Sequence, residues 1–351
     1  MASTASHLPA LKGGLLALLA AALFGVSTPL VQKLGQGLGP FTTAALLYAG
    51  AALVGALLRQ PVEREARLLR SDLPRLLAVA FFGAVIGPVA MAWGLQRTSG
   101  TGASLMLTTE ALFTAVLAWK LYGETMDRRV WSAMLLLLAG GVTLVLDQSQ
   151  GGGSQLWGLL AVMVATAAWG MDNTLSRALA ERDPGQVVLA KAALGVSATA
   201  SLAIVTGEPL PELGTALGLM AVGATGYGLS LRFYLLAQRA FGAARTGSVF
   251  AFAPFIGAAL AIALGDRTGG WGLALGGVLM LIGVLVHLAE SHHHEHEHHD
   301  LEHEHAHSHD DGHHDHTHDI LPEGQHSHVH RYQAKRHTHA HVPDVHHTHS
   351  H

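Results

Sequence analysis

The sequence contains no cysteine and few charged residues. Without cysteine, the chain forms neither a disulfide nor a thiolate metal site. Charged residues make up 13% of the chain, about half of the share that is usual in a soluble domain. Hydrophobic residues make up 50%, and 41 of the 351 residues are glycine. This composition is typical of a membrane protein, in which small residues let helices approach each other closely.

Motifs of common enzyme classes are also missing. The sequence holds no P-loop, no nucleophile elbow and no His-Glu-x-x-His. We therefore expect that the protein is not an enzyme and that it needs no nucleotide. If it moves a solute, the movement is expected to be facilitated or driven by a gradient.

The charges and histidines divide the chain into two segments. Residues 1–290 carry 18 Lys and Arg against 14 Asp and Glu, whereas residues 291–351 carry 3 against 11. The second segment also holds 24 of the 26 histidines. The contrast predicts a membrane domain that is followed by a soluble tail.

The membrane segment contains ten apolar windows of a length that suits transmembrane helices. A helix needs about 20 apolar residues to cross the hydrocarbon core. The windows lie near residues 12–33, 42–58, 73–95, 102–122, 130–146, 156–180, 186–206, 213–237, 242–264 and 270–288.

Lys and Arg are concentrated in the even-numbered connections between these windows, above all after the second window. By the positive-inside bias, both termini lie in the cytoplasm. The first window continues through Pro29 into Lys33 without a cleavage site, so we expect it to be retained. The sequence predicts a multi-pass protein of the bacterial inner membrane.

The two halves of the membrane segment resemble each other at an offset of about 140 to 145 residues. The matches include residues 14–17 with 158–161, 23–25 with 168–170 and 102–103 with 242–243. Five helices per copy is an odd number, so the second copy enters the membrane from the opposite side. Many secondary transporters are inverted repeats with a site near the membrane midplane. A duplicated scaffold for an anchor or an enzyme is the alternative.

A pattern near the end of each copy strengthens the transporter interpretation. It comprises residues 109–113 (TEALF), 123–124 (GE) and 140–141 (GG), then 252–256 (FAPFI), 265–266 (GD) and 276–277 (GG). In this pattern the sequence resembles the EamA branch of the drug/metabolite transporter superfamily. One helix motif of that family pairs Glu with Pro, whereas here Glu110 and Pro254 are divided between the copies.

The resemblance implies an all-α membrane protein of ten transmembrane helices in two inverted five-helix repeats. We expect these repeats at residues 12–147 and 154–289, after a cytoplasmic segment at 1–11 and before a disordered tail at 290–351. The implied function is a carrier of small solutes. The resemblance does not identify a substrate. It also supplies no fixed set of catalytic residues, and we predict no catalytic residue.

Six residues within the apolar windows are candidates for transport or coupling. An ionisable residue at membrane depth is costly and marks a functional candidate. Glu110 is a candidate protonatable site or substrate ligand, and Asp172 is expected to pair with Lys191 or Arg232 to form a gate or a structural bridge. Structural roles are the alternative for each, and Lys191 and Arg232 also have stems long enough to reach the surface. The complete set is Glu110, Trp169, Asp172, Asn173, Lys191 and Arg232.

The tail repeats histidine at short spacings among acidic residues. With few large apolar residues, it is expected to be disordered when no ligand is bound. Imidazole is a preferred ligand of Zn²⁺, Ni²⁺ and Co²⁺, and we expect the tail to bind such a metal without a further cofactor. The first candidate ligands are His292, His293, His294, His296, His298, His299, His303, His305, His307, His309, His313, His314, His316 and His318.

Three functions remain open at this stage. The leading hypothesis is an exporter of a divalent transition metal (Ni, Co or Zn), and the second is an amino-acid or organic metabolite exporter that the tail regulates. The third is a membrane-anchored metal sensor or store. Bases that face a central cavity favour an organic anion, whereas acids without bases favour a cation. The expected partners are a small solute and the lipid bilayer but no nucleic acid, and a homodimer is left open.

Overall fold

The computed structural model describes most of the membrane segment and four parts of the tail. The described residues are 8–61, 65–122, 128–149, 153–179, 182–241, 243–266, 270–288, 293–297, 301–307, 326–332 and 336–340. All described residues of the membrane segment that have regular structure are helical.

Six helices are continuous. They are α1 (Leu8–Leu34), α2 (Pro40–Leu58), α5 (Arg128–Ser149), α6 (Gly153–Ser176, extended by a 3₁₀ turn at Arg177–Leu179), α7 (Pro184–Thr206) and α10 (Trp271–Leu288). Proline is well placed at the first position of α2 and α7, because its missing N–H is not needed there. The carboxylate of Asp183 caps α7 by accepting the amide of Gly185 at 2.8 Å.

Four helices change their geometry near the middle. The first pair is α3 (Leu73–Ala80, π-helix Phe81–Ile86, Gly87–Leu95, after a 3₁₀ turn at Arg70–Asp72) and α4 (Gly100–Met106, 3₁₀ turn Leu107–Thr109, Glu110–Tyr122). The second pair is α8 (Leu213–Gly223, π-helix Ala224–Leu229, Ser230–Phe241) and α9 (Ala243–Phe250, then Ala253–Ala263). Since π-helical turns are frequent at functional sites, the π-helices of α3 and α8 direct attention to the bundle centre.

Nine helices within the described residues are long and apolar enough to cross a membrane. They are α1 to α9; the apolar stretch of α10, Trp271–Val286, is shorter. At a rise of 1.5 Å per residue it spans about 24 Å, somewhat less than a hydrocarbon core of about 30 Å. The expected helical membrane fold is confirmed, with the last helix as its shortest member.

The helix packing has the exchange symmetry of an inverted repeat. Helix α1 packs against α8 and α9 of the second half, and α6 packs against α3 and α4 of the first half. The remaining pairs are α2 with α7 and α5 with α10. Glycine allows the last pair to approach closely, because a Cβ at Gly140 would lie 2.8 Å from the carbonyl oxygen of Gly276.

The described parts of the tail form four short strands. They are β1 (His293–Glu297), β2 (Leu301–His307), β3 (His326–Tyr332) and β4 (Arg336–Ala340), with β1 antiparallel to β4 and β2 antiparallel to β3. Histidine at every second position has the period of a strand. The remaining candidate ligands lie outside the described residues, namely His292, His298, His299, His309, His313, His314, His316 and His318.

Candidate functional site

A buried ion pair lies near the end of α6. Nζ of Lys191 donates to Oδ2 of Asp172 at 2.5 Å, and both residues are only 4% exposed. The hydroxyl of Ser176 lies 3.2 Å from the other carboxylate oxygen. Of the two partners expected for Asp172, the structure therefore selects Lys191 on α7. Each charge depends on the other, because an isolated charge at this depth is costly.

A second polar pair adjoins the first. Nδ2 of Asn173 donates to Oε1 of Glu110 at 2.5 Å. Glu110 is the first residue after the 3₁₀ turn Leu107–Thr109, where the backbone hydrogen bonds of α4 have a shorter spacing. Since Asp172 and Asn173 are consecutive, four of the predicted residues form one cluster, which we call the polar centre: Glu110, Asp172, Asn173 and Lys191.

The π-helix of α3 supplies one wall of the polar centre. Nε1 of Trp169 donates to the carbonyl oxygen of Gly83 at 3.1 Å, and the hydroxyl of Tyr48 donates to the same oxygen. A Cβ at Gly83 would overlap the carboxylate of Asp172, so glycine is needed for this approach. Trp169 is 5% exposed and thus lies as deep as the sequence predicted.

Aromatic rings from both halves of the bundle extend this wall. The ring of Phe24 lies 5.5 Å from that of Trp169, 5.9 Å from Tyr227 and 5.4 Å from Phe250, measured between centroids. Tyr48 also contacts Tyr227, at 5.6 Å. Of these rings only Trp169 was predicted. The alignment of Phe24 with Trp169 in the two repeats was the available signal for a second aromatic position.

Arg232 lies apart from the polar centre. Its Nη1 donates to the carbonyl oxygen of Leu58 at 3.0 Å, close to one end of the bundle. The structure thus does not support the expected pairing with Asp172. The stem of Arg232 is long enough to carry its charge to a helix terminus, where a carbonyl accepts the hydrogen bond.

Further ion pairs lie at this end of the bundle, which we call the arginine end. Arg239 binds the carboxylate of Glu65 at 2.8 Å, and Arg182 binds that of Asp72 at 2.9 Å. Arg239 also donates to the carbonyl oxygen of Arg182 at 2.5 Å. Burial raises the pKa of the Glu65 carboxyl, and the charge of Arg239 opposes that shift. The pairs connect both halves, and sequence reasoning missed them because it counted charges without assigning partners.

The opposite end holds a cavity of about 380 Å³ between the ends of α1, α3, α4 and α9. Its polar lining residues include Gln32, Arg97, Thr98 and Asp266. The carboxylate of Asp266 accepts the amide and the hydroxyl of Thr101, which holds the connection after α9 against the start of α4. The bundle therefore has a hollow at one end and bridging ion pairs at the other.

The described side chains contain no group of three or more His, Cys, Asp or Glu that would hold a metal ion. In the polar centre there are two carboxyl groups, and one of them is bound to Lys191. The side chains of the histidine-rich tail are not among those described, so its predicted metal ligands stay a prediction.

The fold and the site together define an inverted-repeat membrane transporter. The model of the EamA-like transporter family matches residues 11–146 and again 156–289. The chain belongs to this family of transporters.

Relatives agree with this assignment. An uncharacterized transporter of Methanothermobacter thermautotrophicus is 28% identical over 287 residues, covering 75% of this chain and 82% of the relative. One from Clostridium kluyveri is 22% identical over 297 residues, covering 80% and 94%. A solved crystal structure with a TM-score of 0.55 and 21% identity covers 80% of this chain and 95% of that chain, and shows the fold alone.

Proposed function

We propose that the protein is a secondary transporter that exports a small organic solute carrying an amine, such as an amino acid. The observation that carries the proposal is the charge arrangement of the polar centre. Lys191 is paired with Asp172, whereas Glu110 is bonded only to a neutral amide among the described residues. A cationic group of the solute would complete the environment of Glu110.

The surrounding groups suit such a solute. A carboxylate on the solute would compete with Asp172 for Lys191, so that a zwitterion would engage both ends of the polar centre. Aromatic faces such as those of Phe24 and Trp169 attract cations and pack against apolar side chains. Glu110 would also serve as the exchangeable proton site if transport is coupled to a proton gradient.

The proposal places the chain in the inner membrane with both termini in the cytoplasm. The arginine end would then face the cytoplasm, as the positive-inside bias requires. The cavity beside Gln32 and Asp266 would face outward, where it forms an exit path for an exported solute.

The test is solute counterflow in proteoliposomes with radiolabelled amino acids and primary amines, and with Ni²⁺, Zn²⁺ and Co²⁺ measured in parallel. Glu110→Gln keeps an acceptor for Asn173 but removes the charge, and we expect it to abolish counterflow of the amine. Glu212→Gln is the matched control, because Glu212 is exposed at the start of α8 and should not affect transport. Amine counterflow that survives Glu110→Gln would refute the assigned site.

A second candidate function retains a divalent metal as the transported solute. It is favoured by the tail, which holds 24 of the 26 histidines and would capture ions from the cytoplasm. Metal movement by the full chain, with loss in Glu110→Gln and no amine counterflow, would select this candidate. A protein ending at Glu290 would then separate loading by the tail from transport by the membrane domain.

A further inference from the structure

The paired strands of the tail place histidine opposite histidine. In the β2–β3 pair, His303 lies opposite His330, His305 opposite His328 and His307 opposite His326. In the β1–β4 pair, His294 lies opposite His339 and His296 opposite His337. Five rows of two histidines therefore run across the strands, although the two partners of each row are 19 to 45 positions apart in the sequence.

The neighbouring positions make this register chemically favourable. Glu302 lies opposite Arg331, and Leu301 lies opposite Tyr332. Glu297 lies opposite Arg336 in the other pair. Opposite charges and apolar partners at facing positions stabilise an antiparallel pair, so the register does not depend on the histidines alone. Two of the three basic residues of the tail are used in this way.

The spacing of such rows suits a bound transition metal. Residues directly opposite each other in antiparallel strands have Cβ atoms about 4.5–5.5 Å apart, and alternate residues of a strand share one face. Two imidazoles at this separation fit one tetrahedral Zn²⁺ ion with Zn–N distances of about 2.0–2.1 Å. His303, His305 and His307 share a face with their three partners, so the β2–β3 pair carries three such rows side by side.

We propose that the tail binds divalent transition-metal ions of the Zn²⁺ and Ni²⁺ class between its strands, with each ion held by histidines of both β2 and β3. The site combines His303, His305 and His307 of β2 with His326, His328 and His330 of β3. Each ion crosslinks two segments that are distant in the chain, so metal binding stabilises the strand pair. Metal binding is thereby coupled to the conformation of the tail. This coupling does not depend on which solute the membrane domain carries.

Zn²⁺ stoichiometry of the full-length protein in nanodiscs provides the first test, by equilibrium dialysis and elemental analysis. Three variants replace three histidines of β2 (303, 305 and 307), three of β3 (326, 328 and 330), or all six, by alanine. If the ions are shared, each triple variant loses the same number and the six-fold variant loses no more. Losses that add up in the six-fold variant would show that each strand binds its own ions, which overturns the proposal.

A matched control removes His314, His316 and His318, which lie between β2 and β3 in sequence but outside both strands. Its loss should add to that of either triple variant. Non-additive loss in this control would mean that the tail binds ions as one unstructured pool, and would also overturn the proposal.

Spin labels supply a readout that does not depend on stoichiometry. The chain has no cysteine, so Ala306→Cys and Ser327→Cys introduce the only two labelling positions. These residues lie opposite each other and are one position away from the histidine rows, hence on the other face. We expect Zn²⁺ to increase dipolar broadening between the labels and a chelator to reverse it. Unchanged spectra on saturation with Zn²⁺ would contradict binding between the strands.

Discussion

The two halves of the bundle share one scaffold but differ in charge. The repeat aligns Asp172 and Asn173 of α6 with Ser27 and Thr28 of α1, by the offset of 145 that relates Gly170 to Gly25. Lys191 aligns with Leu47 by the offset that relates Pro184 to Pro40, and Glu110 aligns with Ala253 by the offset that relates residues 109–113 to residues 252–256. At three of these four positions, one half has an ionisable side chain and the other half has none, whereas Asn173 and Thr28 are both polar and neutral.

The neutral half shows what the fold itself requires. Ser27, Thr28 and Leu47 are at most 2% exposed, so the α1 side is packed as tightly as the α6 side. Replacing a buried ion pair by well-packed neutral residues is often harmless or stabilising. Because the α1 side needs no buried charge to pack, we infer that the charges of the α6 side are retained for transport.

The largest expected effect comes from breaking the ion pair. Lys191→Leu gives α7 the residue that α2 has at Leu47, but it leaves Asp172 buried without its cation. We expect a loss of about 3–5 kcal/mol in stability, because an uncompensated charge remains in the interior. Unfolding by SDS in mixed micelles measures this loss.

The companion variant gives both positions of the ion pair the residues of the α1 side. Asp172→Ser combined with Lys191→Leu should recover most of the stability that Lys191→Leu loses, while amine counterflow stays absent. If the double variant is as unstable as the single one, the charges are structural and the inference from the neutral half is wrong.

A smaller loss of stability is expected when the equivalent glycines of the two π-helices are replaced by alanine. A Cβ at Gly83 would overlap Asp172, and a Cβ at Gly226 would lie 2.5 Å from the Cβ of Ser27. Gly83→Ala and Gly226→Ala should each cost about 1–3 kcal/mol of stability through overpacking. Counterflow per folded molecule should fall in Gly83→Ala and change little in Gly226→Ala. Equal losses of transport in both variants would assign the two halves equal roles.

The smallest effect concerns the carbonyl oxygen of Gly83. Tyr48→Phe removes one of its two donors, but Nε1 of Trp169 still occupies it. We expect a loss of about 0.5–1.5 kcal/mol in the free energy of unfolding, the usual net value of a hydrogen bond. Combining Tyr48→Phe with Trp169→Phe should cost more than the two single losses together, because the carbonyl then loses both donors. Strict additivity would show that the oxygen finds another partner.

The sequence predicted most of the membrane fold and part of the site. Apolar length identified the helices, and the odd number per repeat predicted an inverted second copy. The structure showed which helices pack together, namely α1 with α8 and α6 with α3. Four of the six candidates form one cluster. The sequence could identify candidates because ionisable residues at membrane depth are rare. Hydropathy does not record rotation about the helix axis, so it left both Lys191 and Arg232 as partners for Asp172.

What the sequence by itself determined is the set of membrane helices, their duplicated order and the separation of a histidine-rich tail. These follow from composition and period, which act locally along the chain. Only the tertiary structure decided which base neutralises Asp172, where α3 and α8 become π-helical and which tail histidines face each other. Each of these depends on groups brought together from distant positions, where hydrogen bonds and charges in a nonpolar interior must find partners.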